Sequence, residues 1–180
     1  AGKSVGRLHS GDPRLYSAIH EQMQALTIAA IPFEVIPGIS AFQAAAAKLN
    51  AELTIPGLVQ SIILTRISGR TQVPDTEELS SLAAHKTSLC LYLSARHVAE
   101  SQTLLLQHYA PETPVAICFR VGWPDEQIWV APLTEMTAIT QRENLIRTTL
   151  YIVSPALQGA EVRSRLYNPD HTHLFRPQNT

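Results

Sequence analysis

The stretch Arg7-Leu-His-Ser-Gly-Asp-Pro13 decides how this chain folds, because it joins a short extended run to a strongly periodic helical pattern. Gly11 permits backbone conformations and a close ligand approach that a Cβ would prevent. Asp12 is a favourable N-cap, and Pro13 suits the first helical position, where its missing N–H needs no partner. The stretch therefore predicts a strand-to-helix turn that can bind a ligand at the edge of an α/β sheet. Taken alone, these residues also fit a turn with no ligand.

Strand and helix patterns alternate around that turn. We predict a strand over 3–9, a helix over 13–30, a strand over 33–36 and a helix over 40–50 that begins at the N-cap Ser40. Right-handed strand–helix–strand connections bring the carboxyl ends of parallel strands to one side of a sheet. We therefore expect the first turn and the second turn, Pro37-Gly-Ile-Ser40, to line one crevice.

A second α/β region follows the Pro- and Gly-containing stretch Leu53-Thr-Ile-Pro-Gly57, which we interpret as a linker. The predicted domains are 1–56, 57–160 and a polar tail over 161–180. Apolar runs and helical spacing predict four strands, three helices and one hairpin arm. In chain order these are a strand over 59–66, a helix over 76–85, a strand over 87–93, a helix over 96–109, a strand over 115–121, its hairpin arm over 128–130, a helix over 134–143 and a strand over 149–154.

Composition excludes several classes of protein. The 180 residues are 45% hydrophobic and 16% charged, as in ordinary soluble proteins, and the net charge of −1 argues against a nucleic-acid partner. Cys90 and Cys118 lie in separate apolar runs and indicate buried thiols in a reducing compartment. No apolar run approaches the roughly 18 residues that a membrane span needs. We expect a cytoplasmic protein with no membrane partner.

Most familiar catalytic motifs are missing from the sequence. There is no Gly-x-Ser-x-Gly elbow, no complete Gly-x-Gly-x-x-Gly fingerprint and no phosphate-binding loop, so neither acyl transfer nor phosphoanhydride chemistry is indicated. His171 and His173 form a close pair, but further ligands are lacking, and we expect no metal site. Arginines near turns could pair with a polyanionic substrate, although many such side chains are simply solvated. These are Arg7, Arg66, Arg70, Arg120, Arg163, Arg165 and Arg176.

Several blocks of the sequence resemble the tetrapyrrole (corrin/porphyrin) methylases of cobalamin biosynthesis. They occur in the family's order and together cover essentially the whole chain. Within the family they most resemble the enzymes that methylate C11 of a corrin precursor, converting precorrin-4 to precorrin-5. The blocks are Arg7-Leu-His-Ser-Gly-Asp-Pro13 with Tyr16, Val35-Ile-Pro-Gly-Ile-Ser-Ala41, Ile63-Leu-Thr-Arg-Ile-Ser-Gly-Arg-Thr71, Trp123-Pro-Asp-Glu126, Arg163-Ser-Arg-Leu-Tyr167 and His173-Leu-Phe-Arg176.

The resemblance implies a fold and an activity. The fold class would be α/β, the two-domain tetrapyrrole methylase fold, with an incomplete N-terminal domain and a mixed-sheet C-terminal domain. S-adenosylmethionine would lie in the cleft between the domains of a homodimer, and the substrate would be a polycarboxylate tetrapyrrole. Methyl transfer by direct displacement depends mainly on alignment, so no indispensable general base is expected.

The residues and the resemblance together assign candidate roles to individual positions. His9 and Asp12 are candidate proton acceptors, and Arg7, Arg66 and Arg70 are candidate substrate contacts. The implied cofactor contacts are Gly11, Asp12, Pro13, Tyr16, Ser40, Ala41, Leu93 and Val121.

Two departures from the family pattern leave alternatives open. The chain lacks the family's first strand and Gly-x-Gly-x-Gly-Asp loop, so an N-terminal portion with half of the substrate trough is expected to be missing. Ser17 also stands where the family usually has glycine. The alternatives are an inactive fragment, a relative that methylates another tetrapyrrole position or ribosomal RNA, and a non-catalytic binding module that retains the cleft.

Overall fold

The structure, a computed structural model, describes residues 2–69 and 71–158. The chain separates into two compact units, residues 1–44 and residues 45–180. The domain limits predicted from the sequence stay predictions, and the predicted polar tail lies outside the described residues.

The first unit contains helix α1 (Ile19–Ile28) and the start of helix α2 (Ala41–Lys48). The predicted helix over 13–30 begins only at Ile19, because Tyr16 and Ala18 adopt φ angles of 54° and 53° that interrupt a right-handed helix. Ser17 lies between them and donates a hydrogen bond from its Oγ to the carbonyl of Pro13.

The strands predicted over 3–9 and 33–36 are wrong. Neither run pairs with any other residue that the structure describes. A strand exists only through hydrogen bonds to a neighbouring strand, so an extended run with suitable residues remains irregular when no described segment completes the ladder.

The second unit is organised around one mixed five-stranded sheet with the order β1-β2-β5-β3-β4. Strands β1 and β2 are parallel, β5 lies antiparallel between β2 and β3, and β4 pairs antiparallel with β3 as a hairpin. This confirms the predicted mixed sheet and the hairpin arm. The strands are β1 (Ile62–Arg66), β2 (Ser88–Tyr92), β3 (Pro114–Phe119), β4 (Gln127–Pro132) and β5 (Thr149–Val153).

The central strands form the core because their sequences are nearly continuous apolar runs, the pattern of strands covered on both faces. Leu89, Leu91 and Tyr151 are fully buried. Three short helices supply buried side chains to the same core. They are α3 (Leu79–Ala83), α4 (Val98–Leu105) and α5 (Met136–Arg142), each preceded by a 3₁₀ turn.

Two buried serine hydroxyls inside this unit are paired with each other. Ser88 Oγ donates to the carbonyl of Leu53 at 2.7 Å and lies 2.6 Å from Ser154 Oγ, so the predicted linker is tied to the start of β2 and the end of β5. Cys90 and Cys118 are free, buried thiols, and burial raises the pKa of each to about 12. In the described part of the chain, no helix is long and apolar enough to cross a membrane.

Candidate functional site

The first turn is shaped by Asp12. Its Oδ1 accepts the main-chain N–H of Arg14 at 2.8 Å and lies 3.4 Å from Arg14 Nε, while the carbonyl of Asp12 accepts the N–H of Leu15. Gly11, which precedes it, has a φ of 70°, a conformation that favours glycine. Pro13, which follows, is buried. The turn is therefore a defined local structure although the helix begins only later.

The second turn meets the first through a long-range contact. Gly38 donates its main-chain N–H to Asp12 Oδ2 at 3.1 Å, across 26 residues of sequence. A Cβ on Gly38 would lie 2.2 Å from the carbonyl oxygen of Gly11, and a Cβ on Gly11 would lie 3.6 Å from the carbonyl oxygen of Ile39. The convergence expected from the sequence is thus present within the first unit, at a distance that requires glycine.

The electrostatics of Asp12 follow from these contacts. The main-chain N–H groups of Arg14 and Gly38, together with the Arg14 guanidinium, hold the pKa of the Asp12 carboxyl below its ordinary value. The group is therefore ionised at neutral pH and acts as a hydrogen-bond acceptor only. A carboxylate held in this way is a weak base, which argues against Asp12 as a proton acceptor. His9, the other candidate, is half-buried.

The second turn leads into α2 through Ser40, which is 3% exposed. The carbonyl of Ser40 accepts the N–H groups of Gln43 and Ala44, and its own N–H donates to Gln43 Oε1 at 3.0 Å. This is the reciprocal half of a capping box, in which residue N3 bonds back to the N-cap. Ser40 and Ala41, both predicted cofactor contacts, therefore have fixed positions at the start of α2.

In the second unit, three strand ends share one edge of the sheet. Because β5 is antiparallel to both β2 and β3, strand β3 runs in the same direction as β1 and β2. Arg66 ends β1, Leu93 follows β2, and Val121 lies just beyond β3. The topology thus places these three predicted site residues at one edge of the sheet.

Leu93 has the backbone strain often found at functional positions. Its φ is 55° and the residue is 68% exposed, an unusual pair of properties for a leucine. The next residue, Ser94, fixes the corner because its buried Oγ donates to the carbonyl of Tyr92 at 2.7 Å and accepts the N–H of Ile67 at 3.3 Å. The segment after β2 is therefore held against the segment after β1.

The predicted substrate-binding arginines differ in their surroundings. Arg66 donates from its guanidinium to the carbonyls of Thr71 at 2.9 Å and Gln72 at 3.1 Å, so it organises the loop that follows β1. Arg7 is exposed. Arg70 lies outside the described residues. Contact between these side chains and a substrate stays a prediction.

The turn after β3 contains interactions that the sequence analysis did not assign. Glu126 Oε2 accepts the N–H of Gly122 at 2.6 Å, and Glu126 Oε1 lies 3.1 Å from Lys48 Nζ. These two groups, the N–H first, hold the pKa of Glu126 below its ordinary value. Arg120 lies 4.3 Å from the centre of the Trp123 ring, a cation–π distance. The turn after Val121 is therefore stabilised by the contacts of Glu126 with Gly122 and Lys48 and by the cation–π contact between Arg120 and Trp123.

Among the residues that the structure describes, no group of three or more His, Cys, Asp or Glu side chains could hold a metal ion. The pair His171 and His173 lies outside them. The expectation that the protein has no metal site stays a prediction.

Comparison with known proteins identifies the family of the chain. The family model for Tetrapyrrole (Corrin/Porphyrin) Methylases matches residues 1–137. A precorrin-4 C(11)-methyltransferase of Pseudomonas aeruginosa is 41% identical over 177 residues, which are 98% of this chain and 71% of that protein. A cobalt-precorrin-4 C(11)-methyltransferase of Priestia megaterium is 39% identical over 181 residues, 97% of this chain and 70% of that protein.

A solved structure shares the fold. The cobalt precorrin-4 methyltransferase CbiF superposes with a TM-score of 0.81 at 36% identity, covering 84% of this chain and 64% of that one. The chain therefore spans slightly less than two thirds of this neighbour. This confirms the tetrapyrrole methylase fold, and the chain belongs to the Tetrapyrrole (Corrin/Porphyrin) Methylases.

Proposed function

We propose that this chain carries out S-adenosylmethionine-dependent methylation of a corrin precursor at C11, the precorrin-4 step of cobalamin biosynthesis. The observation that carries the proposal is the 41% identity to the Pseudomonas aeruginosa precorrin-4 C(11)-methyltransferase over 98% of this chain. The chain covers 71% of that relative and 64% of the CbiF structure.

The converging turns of the first unit suit a small polar cofactor. Gly11 and Gly38 let two backbone segments approach closely, and main-chain groups at such turns can bind a charged amino-acid moiety without long side chains. Gly11, Asp12, Pro13, Tyr16, Ser40 and Ala41 would hold S-adenosylmethionine there. Leu93 and Val121 stay cofactor contacts that the family resemblance implies. When bound, the cofactor supplies an electrophilic methyl group.

The protein's contribution to this reaction would be alignment and exclusion of water. The cofactor would supply its methyl group to an electron-rich carbon of the macrocycle, and the residues of this chain would align the two without a protein base in the bond-forming step. The low pKa of Asp12 fits this scheme, since a carboxylate that stays ionised is suited to holding backbone groups. Arg7, Arg66 and Arg70 would pair with carboxylates of the tetrapyrrole.

The proposal is tested by incubating the chain with precorrin-4 and S-adenosylmethionine and measuring the mass of the product by mass spectrometry. A mass increase of one methyl group, located at C11 by NMR spectroscopy, supports it, and an unchanged substrate overturns it for this chain. Calorimetry with S-adenosylhomocysteine separates the alternatives. Binding without turnover indicates an inactive fragment, whereas absence of binding leaves the non-catalytic binding module. Asp12→Ala should weaken binding more than Asp75→Ala, because Asp75 belongs only to the 3₁₀ turn before α3.

A second candidate substrate has a specific observation in its favour. A uroporphyrinogen-III C-methyltransferase of Paracoccus denitrificans is 32% identical over 176 residues. Replacing precorrin-4 with uroporphyrinogen III in the same assay distinguishes the two, and we expect little turnover of the latter. Relatives named for precorrin-4 and for cobalt-precorrin-4 both match, so the assay should compare substrate with and without cobalt.

The remaining properties are proposed from the family and the composition. We propose a cytoplasmic homodimer with no nucleic-acid partner. Two free, buried thiols fit a reducing compartment, and a net charge of −1 gives no general attraction for nucleic acid. Light scattering after size-exclusion chromatography measures the oligomeric state, and a monomer at all concentrations would contradict the dimer.

A further inference from the structure

We infer that Asp12 is a positioning residue: its carboxylate clasps the two turns of the first unit at the separation that cofactor binding needs. Each oxygen bonds a different turn. Oδ1 accepts the N–H of Arg14 in the first turn, and Oδ2 accepts the N–H of Gly38 in the second. The inference rests on the proposed function only in the experiments that measure cofactor binding or turnover.

The clasp lies in a restricted environment. The Asp12 side chain is 12% exposed, whereas that of its partner Arg14 is 60% exposed. Hydrogen bonds from main-chain donors to a carboxylate are charge-assisted and stronger than neutral ones. Both bonds also require the ionised form, which agrees with the lowered pKa of this carboxyl.

Gly38 supplies the other half of the arrangement. A Cβ at this position would meet the carbonyl oxygen of Gly11 at 2.2 Å, the carbonyl carbon of Gly11 at 3.0 Å and the Cα of Asp12 at 3.3 Å. All three of these atoms belong to backbone that cannot rotate away, so any side chain must separate the turns. Asp12 and Gly38 therefore both allow the two turns to lie close together. The Asp12 carboxylate attracts the Gly38 N–H, and Gly38 leaves the space that a Cβ would occupy.

Asparagine cannot replace the carboxylate. An ionised carboxylate has two acceptor oxygens, but an amide has one oxygen and one NH₂ donor. In Asp12→Asn one of the two N–H groups would face another donor, and one side of the clasp would be lost. The variant keeps the size of the side chain, so its effect reports the loss of the second acceptor together with the negative charge.

A double-mutant cycle tests the shared role. We expect Asp12→Asn and Gly38→Ala each to raise the Kd for S-adenosylhomocysteine roughly tenfold, the effect of losing about one charge-assisted hydrogen bond. The double variant should bind no more weakly than the weaker single variant, because either change already separates the turns. Additive effects overturn the inference. Gly6→Ala is the control, since no atom lies within 4 Å of its Cβ position.

Steady-state kinetics distinguish positioning from proton transfer. For a positioning residue, Asp12→Asn should raise KM for S-adenosylmethionine and leave kcat at saturating cofactor within a few-fold of the wild-type value. A proton acceptor would instead lose kcat with KM unchanged. That second result would overturn the inference.

Hydrogen exchange tests the clasp without any cofactor. The Gly38 amide should exchange at least about tenfold faster in Asp12→Asn than in the wild type, because its acceptor is weakened. The amide of Tyr151 in β5 is the control for intact folding and should not change. Equal Gly38 exchange in both proteins overturns the clasp. Faster exchange in a chain that never binds S-adenosylhomocysteine contradicts the proposed function and leaves the clasp intact.

Discussion

The two units differ in what holds them together. In the second unit, strands β2 and β5 are buried almost completely, and side chains from three helices join their core. In the first unit, α1 has no buried residue, and large apolar side chains such as Leu8, Ile28 and Ile39 are 95%, 81% and 69% exposed. Helical periodicity therefore gives buried side chains in α3, α4 and α5, which pack in the core around the sheet, but not in α1, which has no buried residue.

The first unit nevertheless contains the more constrained backbone contact. The approach of Gly38 to Gly11 and the bonds of Asp12 depend on main-chain geometry rather than on apolar burial. A local arrangement can thus be fixed at a candidate site while the elements around it contribute little to stability. Matched substitutions in the two units measure this difference in stability.

The largest effect is expected from removing a core side chain. Leu91→Ala should lower the free energy of unfolding by about 2–5 kcal/mol, because Leu91 is fully buried and truncation leaves a cavity. Leu8→Ala is the matched change in the first unit and should alter stability by no more than about 0.5 kcal/mol. Urea denaturation followed by circular dichroism measures both. Equal losses would mean that Leu8 is covered in solution and would remove the contrast between the units.

A smaller effect is expected at the buried serine pair. Ser88→Ala should cost about 1–3 kcal/mol, since the carbonyl of Leu53 loses its donor in a buried place. Ser81→Ala on α3 removes the same hydroxyl from an exposed position and should change stability little. The same urea titration compares them. Indistinguishable midpoints would show that the linker is not stabilised by this bond.

The smallest effect is expected at Glu126, and it depends on pH. The folded-state pKa lies below the ordinary value of 4.5, so the carboxylate stabilises the fold above that pH and the contribution is lost as the pH falls through the folded pKa. The stability difference between wild type and Glu126→Gln should therefore be present at about pH 7 and should decrease as the pH falls below the ordinary pKa of 4.5. Glu112→Gln, at an exposed position, is the control. A stability difference between wild type and Glu126→Gln that grows as the pH falls would contradict a stabilising role for the ionised carboxylate.

The sequence predicts the second unit well because its signals are local. The apolar runs around Leu89, Ile117 and Ile152 give strands in the observed places, and the turn at Gly122 gives the hairpin. Helices α3, α4 and α5 lie inside their predicted limits, with ends shifted by 3₁₀ turns.

The first unit is predicted less well because its structure depends on context. The positive φ angles of Tyr16 and Ala18 carry no sequence signal, since neither residue type favours that conformation. The run over 33–36 has residues typical of a strand, but it can form a strand only where another segment pairs with it. Convergence of the turns follows from topology, whereas the bond from Gly38 to Asp12 becomes visible only in three dimensions. The N-cap Ser40 is predicted from the sequence, and its spacing from Gln43 is a further signal, that of a capping box, which the bond between them matches.

The two buried cysteines allow local opening of the sheet to be measured through the rate at which their thiols react. A thiol reacts as the thiolate, and Cys90 and Cys118 have pKa values of about 12 in the closed sheet. Alkylation at neutral pH must therefore wait for β2 or β3 to open. The labelling rate of the natural side chains reports how often each strand detaches, with no foreign probe, and its slowing on cofactor addition would measure how far ligand binding tightens the sheet.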